Sequence, residues 1–177
     1  MPEILVVCTA NICRSPVVEA ILDARLAERG LDGWRVSSAG TRALPGFGAA
    51  EHSVAVVAEL GLDLREHRSR RAEERHVAAA DLVLCMEWGH KEALQVEYPE
   101  HRGRIYLLTE MVGEDREVAD PIGGPRAGYR RMADEVRGLI EAGLPRIVEL
   151  VRGNARRRGT GGGEPAASTP PGKPGEP

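Results

Sequence analysis

Two of the three cysteines lie in one short stretch near the start of the chain, VCTANICRSP at positions 7–16. Cys8 is followed after five residues by Arg14, and Ser15 comes directly after the arginine. A cysteine thiolate is a strong nucleophile, and a guanidinium group can bind two oxygens of a phosphate at once. The spacing therefore predicts that Cys8 attacks a phosphoryl group while Arg14 holds its oxygens.

The neighbouring sequence indicates how the chain can position these groups. Residues 3–7 read EILVV, a β-branched run typical of a buried parallel strand, so Cys8 lies at the carboxyl end of that strand. Ser15 and Pro16 indicate a helix start, with the serine as its cap and the proline in the first helical position. In a loop that enters a helix, successive amides point inward and bind an anion. The residues expected to surround a phosphate are Thr9, Ala10, Asn11, Ile12, Cys13, Arg14 and Ser15.

Asp120, in the segment VADPIGG, is the candidate acid. Displacement of an alkoxide or phenoxide from phosphorus needs a proton donor, and the same carboxylate can then deprotonate water. Asp120 lies in an acidic, glycine-rich loop after the last predicted strand, which can bring it over Cys8. An Asp-Pro pair is also a common turn, so Asp120 taken alone would indicate only a turn.

Apolar runs and helical periodicity alternate along the rest of the chain. Strands are predicted at 34–38, 81–86 and 104–108, and helices at 16–29, 52–60, 88–98 and 129–152. Pro145 is expected to kink or split the last helix. This alternation predicts an α/β fold with a parallel sheet and helices on both faces, in which ligands bind at the carboxyl ends of the strands.

The 177 residues are expected to form one domain and a tail. With 42% hydrophobic and 29% charged residues, the composition is that of an ordinary soluble domain, which we assign to residues 1–152. Residues 153–177 are rich in glycine and proline and contain almost no large apolar side chain, so they are predicted to be a disordered tail.

The net charge of −3 gives no general electrostatic reason to expect a nucleic acid or a membrane as a partner. No apolar run has the length of a membrane span, and no leader peptide is recognisable. We therefore expect a cytoplasmic protein, and we expect it to be a monomer.

The three cysteines match neither a closed disulfide set nor the spacing of a zinc site, and the histidines show no ligand-like pairing. No metal site is therefore expected. Cys13 can capture an oxidised Cys8 as a disulfide and protect it from irreversible oxidation, with a packing role as the alternative. Cys85, inside a predicted strand, is expected to belong to the core.

The Cys-x5-Arg-Ser-Pro motif that starts at Cys8, followed by the Asp-Pro pair at Asp120, resembles the low-molecular-weight protein tyrosine phosphatases. The segments SSAGT at 37–41, HRSR at 67–70 and ADLVLCM at 80–86 resemble family segments in the same order. The likeness therefore extends from residue 3 to about residue 151.

This resemblance implies a four-stranded parallel twisted sheet with the phosphate-binding loop after the first strand. It implies a metal-independent enzyme that hydrolyses phosphotyrosine in proteins through a phosphocysteine on Cys8, with Arg14 binding the phosphate and Asp120 as general acid and then base. It also implies no cofactor, a phosphorylated protein as the partner, and a role in signalling. The hydrogen-bond network that supports the loop is implied to contain Asn11, Ser15, Ser38 and His67, although an exposed loop position is the alternative for the histidine.

Three positions depart from the family pattern. Ala10 stands where glycine is usual, and it would be strained if the loop required a positive φ there. Leu44 and Ile122 stand where aromatic residues usually form the walls of the substrate slot, so stacking on a phenyl ring would be weakened. These two wall residues leave the preference for phosphotyrosine open.

Alternative functions follow from the same comparison. A bacterial branch of the family removes phosphate from arginine, and segments 80–90 and 120–124 resemble that branch as well. That branch has a threonine where this chain has Ile12, which is the residue of tyrosine-specific members, so phosphoarginine is the alternative substrate. A catalytically weak phosphoprotein-binding module is the second alternative. Arsenate reduction is not expected, because its cysteine relay would need another cysteine after Cys85.

Overall fold

Four parallel strands form one sheet in the computed structural model of the chain, which describes residues 1–160. The strands are β1 (Glu3–Cys8), β2 (Arg35–Gly40), β3 (Leu82–Cys85) and β4 (Ile105–Leu107). Their order across the sheet is β2-β1-β3-β4, so the strand that carries Cys8 lies in the interior of the sheet. The predicted α/β fold is confirmed.

Within residues 1–160, five α-helices cover this sheet. They are α1 (Arg14–Glu28), α2 (Glu51–Glu59), α3 (Glu74–Ala79), α4 (Trp88–Glu97) and α5 (Arg126–Thr160). Two short 3-10 helices, Pro99–Arg104 and Thr109–Val112, flank β4. None of the helices in this part of the chain is apolar over a length that would cross a bilayer.

Alternate side chains of β1 enter two separate apolar cores. Ile4 and Val6 pack in the core that α1, α2 and α5 cover, whereas Leu5 and Val7 pack in the core that α3 and α4 cover. Successive side chains of a strand point to opposite faces, so a strand that is covered on both faces must be apolar throughout. This burial fixes the position of Cys8 at the end of β1.

The start of α1 differs from the prediction. The helix begins at Arg14, and Cys13, the residue before it, makes no side-chain hydrogen bond to the helix end. The prediction that Ser15 caps this helix was therefore wrong, and the Ser15 hydroxyl contacts the Cys8 sulfur instead. The sequence analysis also missed α3, because six residues are too few to show a helical period.

The long helix α5 is continuous through Pro145, so the predicted split was wrong, whereas a kink at this residue stays a prediction. Pro145 is exposed, whereas Leu144 and Ile147 are buried. Two residues before Pro145, Gly143 packs so closely that an added Cβ would lie 2.7 Å from the Cβ of Met111. Packing of the buried face therefore maintains the helix despite the backbone hydrogen bond that proline removes.

Helix α5 also continues past its predicted end at residue 152. Nη2 of Arg158 lies 2.8 Å from Oδ1 and 2.9 Å from Oδ2 of Asp81, which is fully buried just before β3. Asn154 donates a hydrogen bond of 2.8 Å to the backbone carbonyl of Asp81. These contacts hold residues 153–160 against the amino end of β3. The rest of the predicted tail, residues 161–177, lies outside the described residues.

Candidate active site

The sulfur of Cys8 receives hydrogen bonds from the loop that joins β1 to α1. The backbone amide of Asn11 donates to Sγ at 3.3 Å, and Oγ of Ser15 lies 3.0 Å from the same sulfur. Nδ2 of Asn11 donates to Oγ of Ser15 at 3.0 Å, so the hydroxyl proton of Ser15 can point at the sulfur or at the carbonyl of Ala39, 3.4 Å from Oγ. These donors suit the thiolate, which is the nucleophilic form of cysteine.

Asn11 holds the loop in shape. Its φ of 57° is left-handed, a conformation that asparagine tolerates better than most residues. Nδ2 also donates to Oγ of Ser38 at 2.8 Å, and Oδ1 accepts the backbone amide of Arg70 at 2.9 Å. Nε2 of His67 donates to the carbonyl of Asn11 at 2.7 Å. The structure thus brings His67, Ser38 and Ser15 together around Asn11.

Glu19 and Arg70 extend this group of hydrogen bonds, and the sequence analysis assigned neither of them a role. Ser38 donates its hydroxyl proton to the carboxylate of Glu19, and burial raises the pKa of that carboxyl. Nε of Arg70 donates to the carbonyl of Ser38 at 2.8 Å. The side chain and the backbone of Ser38 are therefore both fixed.

The side chain of Arg14 is buried among acceptors. Nη1 pairs with the carboxylate of Glu87 and donates to the carbonyl of Val118 at 2.9 Å, while Nη2 lies 2.8 Å from Oδ2 of Asp120. Nε of Arg14 is buried and has no hydrogen-bond partner within residues 1–160. A phosphate oxygen can therefore bind Nε directly, and a second can bind Nη2 in exchange for Asp120.

The loop lies tightly against the end of β2, where only glycine fits. A Cβ added to Gly40 would lie 2.5 Å from the carbonyl oxygen of Thr9 and 2.9 Å from the amide of Asn11. The sequence analysis did not identify this requirement. Ala10 carries no strain of the kind considered above, because Asn11 is the only non-glycine residue of the described chain with a positive φ.

The segment 41–50 is fastened to the loop at both ends. The amide of Thr41 donates to the carbonyl of Cys8 at 2.9 Å, and the amide of Ala50 donates to the carbonyl of the partly buried Ile12 at 2.8 Å. This segment carries Leu44, which is 69% exposed. Ile122, the other predicted wall residue, is 56% exposed, so both side chains are accessible to a ligand and their role as walls stays a prediction.

Asp120 lies in the loop between β4 and α5, where its carboxylate bridges two groups. Oδ2 pairs with Arg14, and Oδ1 accepts the amide of Ile122 at 3.1 Å. The side chain is about one third exposed, at 31%. The carboxylate that the sequence analysis selected thus lies beside the arginine that it selected.

Cys13 and Cys85 are both buried thiols. Burial raises the pKa of Cys13 to about 11, and its sulfur lies 3.7 Å from the hydroxyl of Tyr129. Cys85 is completely buried within β3, and burial raises its pKa far above the usual value for a thiol. Cys85 is a core residue, as predicted, and the redox role of Cys13 stays a prediction.

Two further residues near the loop were missed. Glu87, just before α4, pairs with Arg14, and His90, in the first turn of α4, places Nε2 at 2.8 Å from Oγ1 of Thr9. Both are distant from the loop in sequence and reach Arg14 and Thr9 only through the fold. The one signal that could have found them is the likeness of segment 80–90 to family members.

Comparison with known proteins agrees with this geometry. The family model for low molecular weight phosphotyrosine protein phosphatases matches residues 3–155. A protein-arginine-phosphatase of Geobacillus stearothermophilus is 39% identical over 140 residues, which are 78% of this chain and 91% of that protein. A probable low molecular weight protein-tyrosine-phosphatase, EpsP of Ralstonia nicotianae, is 36% identical over 147 residues, which are 83% of this chain and 97% of that protein.

Solved structures show the same fold. The low molecular weight protein tyrosine phosphatase of T. tengcongensis superposes with a TM-score of 0.79 at 39% identity, and the match covers 82% of this chain and 99% of that one. A mutant YwlE arginine phosphatase, which carries a phosphorylated serine in its active site, also gives a TM-score of 0.79, at 33% identity over 86% of this chain and 99% of that one. The chain belongs to the low molecular weight phosphotyrosine protein phosphatase family.

Proposed function

We propose that this protein is a cysteine-dependent phosphatase that hydrolyses phosphotyrosine in proteins through a phosphocysteine on Cys8. The observation that supports this most directly is the arrangement of three groups around one loop. Cys8 receives the Asn11 amide and the Ser15 hydroxyl, and Arg14 has a buried Nε without a partner in the described residues. Asp120 lies beside that arginine.

In the first step, the thiolate of Cys8 attacks the phosphorus atom. A sulfur–phosphorus bond forms, and the bond from phosphorus to the ester oxygen breaks. Arg14 and the loop amides stabilise the charge on the phosphoryl oxygens. The phosphate takes the place of Asp120 on Nη2 of Arg14, and the carboxyl of Asp120 gives its proton to the leaving oxygen.

In the second step, water attacks the phosphocysteine. The carboxylate of Asp120 takes a proton from this water, the sulfur–phosphorus bond breaks, and inorganic phosphate leaves. Cys8 returns to the thiolate, which the Asn11 amide and the Ser15 hydroxyl stabilise. No metal ion takes part in either step, since Cys8 supplies the nucleophile and Arg14 supplies the positive charge.

The substrate is proposed to be a phosphorylated protein in the cytoplasm, as part of a signalling reaction. Ile12 favours phosphotyrosine. Phosphoarginine is the second candidate, because the predicted wall residues Leu44 and Ile122 are aliphatic and exposed, and a relative that is 39% identical is named a protein-arginine-phosphatase. A binding module without turnover is less well supported, because it would need neither a nucleophile nor an acid.

The test is phosphate release from matched phosphotyrosine and phosphoarginine peptides, in the presence of a chelator. Wild type is compared with Cys8→Ala, which leaves no nucleophile at this position. We expect release that depends on Cys8 and favours phosphotyrosine. A preference for phosphoarginine would reassign the substrate. Binding of either peptide without release of phosphate would refute the proposal that the protein is an enzyme.

A further inference from the structure

His90 is a buried histidine that contacts the phosphate-binding loop from outside it. It is 4% exposed, and its Nε2 lies 2.8 Å from Oγ1 of Thr9, the first residue after Cys8. Its other ring nitrogen, Nδ1, is buried without a hydrogen-bond partner in the described chain. A buried imidazole with one orphaned nitrogen is costly, so its single strong contact with Thr9 calls for a functional explanation.

Nε2 of His90, the ring nitrogen that contacts Thr9, also faces the carboxylate that pairs with Arg14. Nε2 of His90 lies 3.7 Å from Oε2 of Glu87, while Oε1 of Glu87 pairs with Nη1 of Arg14. One side chain therefore borders both the side chain of Thr9, which begins the loop, and the carboxylate that pairs with the arginine. The carboxylate also favours the tautomer with the proton on Nε2, which donates to Thr9.

Charged groups from three parts of the chain face His90. Glu87 lies at the start of its own helix, Arg14 belongs to α1, and Glu117 and Asp120 belong to the loop before α5. Burial lowers the pKa of His90 below its usual value, and the Arg14 charge lowers it further, while the three carboxylates oppose this shift. His90 is thus neutral near neutral pH, and a proton added to it would attract Glu87.

We propose that His90 is a positioning residue for the phosphatase reaction. It holds Thr9 in place, and in its neutral form it does not compete with Arg14 for the carboxylate of Glu87. This inference rests on the proposed function. His90 itself does not touch the phosphate. Its effect reaches the reaction through the loop backbone and through the orientation of the guanidinium group.

A pH dependence follows from this arrangement. When His90 is neutral, the charge of Glu87 is directed at Arg14. As the pH falls through the pKa of His90, an imidazolium forms, pairs with Oε2 of Glu87 and competes with Arg14 for that carboxylate. Phosphate binding by Arg14 is then weakened, so His90 lowers activity on the acid side.

The experiment measures kcat/KM against pH for wild type and His90→Gln. Glutamine keeps a polar group near Thr9 but does not titrate. At about pH 7.5 we expect His90→Gln to lose about threefold to tenfold, the equivalent of one hydrogen bond. The ratio of variant to wild type should then rise as the pH falls through the pKa of His90, which burial places below its usual value, because only wild type loses its neutral imidazole. Groups that both proteins share titrate in the same way in each, so their effect on activity cancels in this ratio.

His101→Gln is the matched control. This histidine is partly buried and accepts a hydrogen bond of 2.7 Å from Arg104, just before β4 and outside the candidate active site. Its ratio to wild type should stay flat across the same pH range. A ratio for His90→Gln that is equally flat would overturn the inference, because a purely structural histidine would lower activity equally at each pH.

A double-mutant cycle tests the contact with Thr9. If the contact matters, His90→Gln should cost much less activity in a Thr9→Val background than in wild type. Fully independent losses would contradict the proposal. Should wild type release no phosphate from any substrate, the proposed function fails, and the imidazole ¹⁵N spectrum still tests the contact without turnover. His90 signals that are identical in wild type and Thr9→Val would then refute it.

Discussion

At the scale of single residues, the loop gives its two thiols different chemical properties. Cys8 receives an amide and a hydroxyl hydrogen bond, whereas Cys13 is buried beside Tyr129 and its pKa is raised to about 11 by that burial. At neutral pH the thiolate of Cys13 is therefore rare. It is a poor nucleophile toward substrate, but it stays available for the slower capture of an oxidised neighbour.

Cys13→Ser should make inactivation by peroxide irreversible. In wild type, the sulfenic acid on Cys8 condenses with the Cys13 thiol to give a disulfide and water, and a dithiol reagent then restores both thiols. Because the pKa of Cys13 is about 11, the fraction of activity that wild type recovers should rise as the oxidation is carried out at higher pH. The measurement is activity regained after peroxide and dithiothreitol. Equal recovery in the two proteins would mean that Cys13 only packs.

At the scale of elements, β1, β2 and α1 together place the loop. The end of β2 packs on the backbone of the loop, and the first turn of α1 carries Arg14 and Ser15. Each of these contacts fixes backbone as well as side chains. The geometry at Cys8 therefore depends on how closely two strands and one helix approach each other.

Gly40→Ala tests the close approach of β2 to the loop. The new Cβ would lie 2.5 Å from the carbonyl oxygen of Thr9, which forces the two backbones apart. We expect a loss of about 1–3 kcal/mol in the free energy of unfolding and a larger proportional loss of activity. Urea denaturation and phosphate release measure the two effects. Gly33→Ala is the control, since an added Cβ there meets nothing within 4 Å. Full activity in Gly40→Ala would show that the loop can move aside.

Arg158→Ala tests what holds the end of α5 on the sheet. Without Arg158 the buried carboxylate of Asp81 keeps, within residues 1–160, only the amide of Glu3 as a donor. Since Arg158 is 39% exposed and water can enter, we expect a loss of about 1–3 kcal/mol, below the usual cost of breaking a fully buried pair. Urea denaturation measures it, with the exposed Arg152→Ala as control. Equal stability of the two variants would show that packing alone holds residues 153–160.

At the scale of the whole molecule, the sequence predicts best what is local. The strand before Cys8, the loop and the start of a helix are contiguous, and their residue types alone indicate an anion site. Alternating elements likewise predicted the parallel sheet. The continuity of α5 was not predictable in this way, because the packing of Gly143 on Met111 and the burial of Asp81 depend on distant segments.

The residues that contact the loop also fall into those that local sequence predicts and those that only the fold reveals. Asn11, Ser15 and Asp120 follow from motifs, and the structure places all three in contact with Cys8 or Arg14. Glu87 and His90 come from the start of α4, more than seventy residues after the loop, and their own spacing indicates nothing. Such residues become visible only when the sheet brings the ends of β1 and β3 together.

The most direct test of this account is to detect phosphate on Cys8. Asp120→Ala is mixed with an activated aryl phosphate, whose leaving group needs little protonation, and the reaction is quenched in acid and digested. Formation of the intermediate should stay fast while its hydrolysis slows, because no base remains to activate water. Mass spectrometry should therefore find phosphate on the peptide that contains Cys8, and none after Cys8→Ala. Turnover by wild type with no covalent phosphate on Cys8, or turnover that persists in Cys8→Ala, would contradict the account.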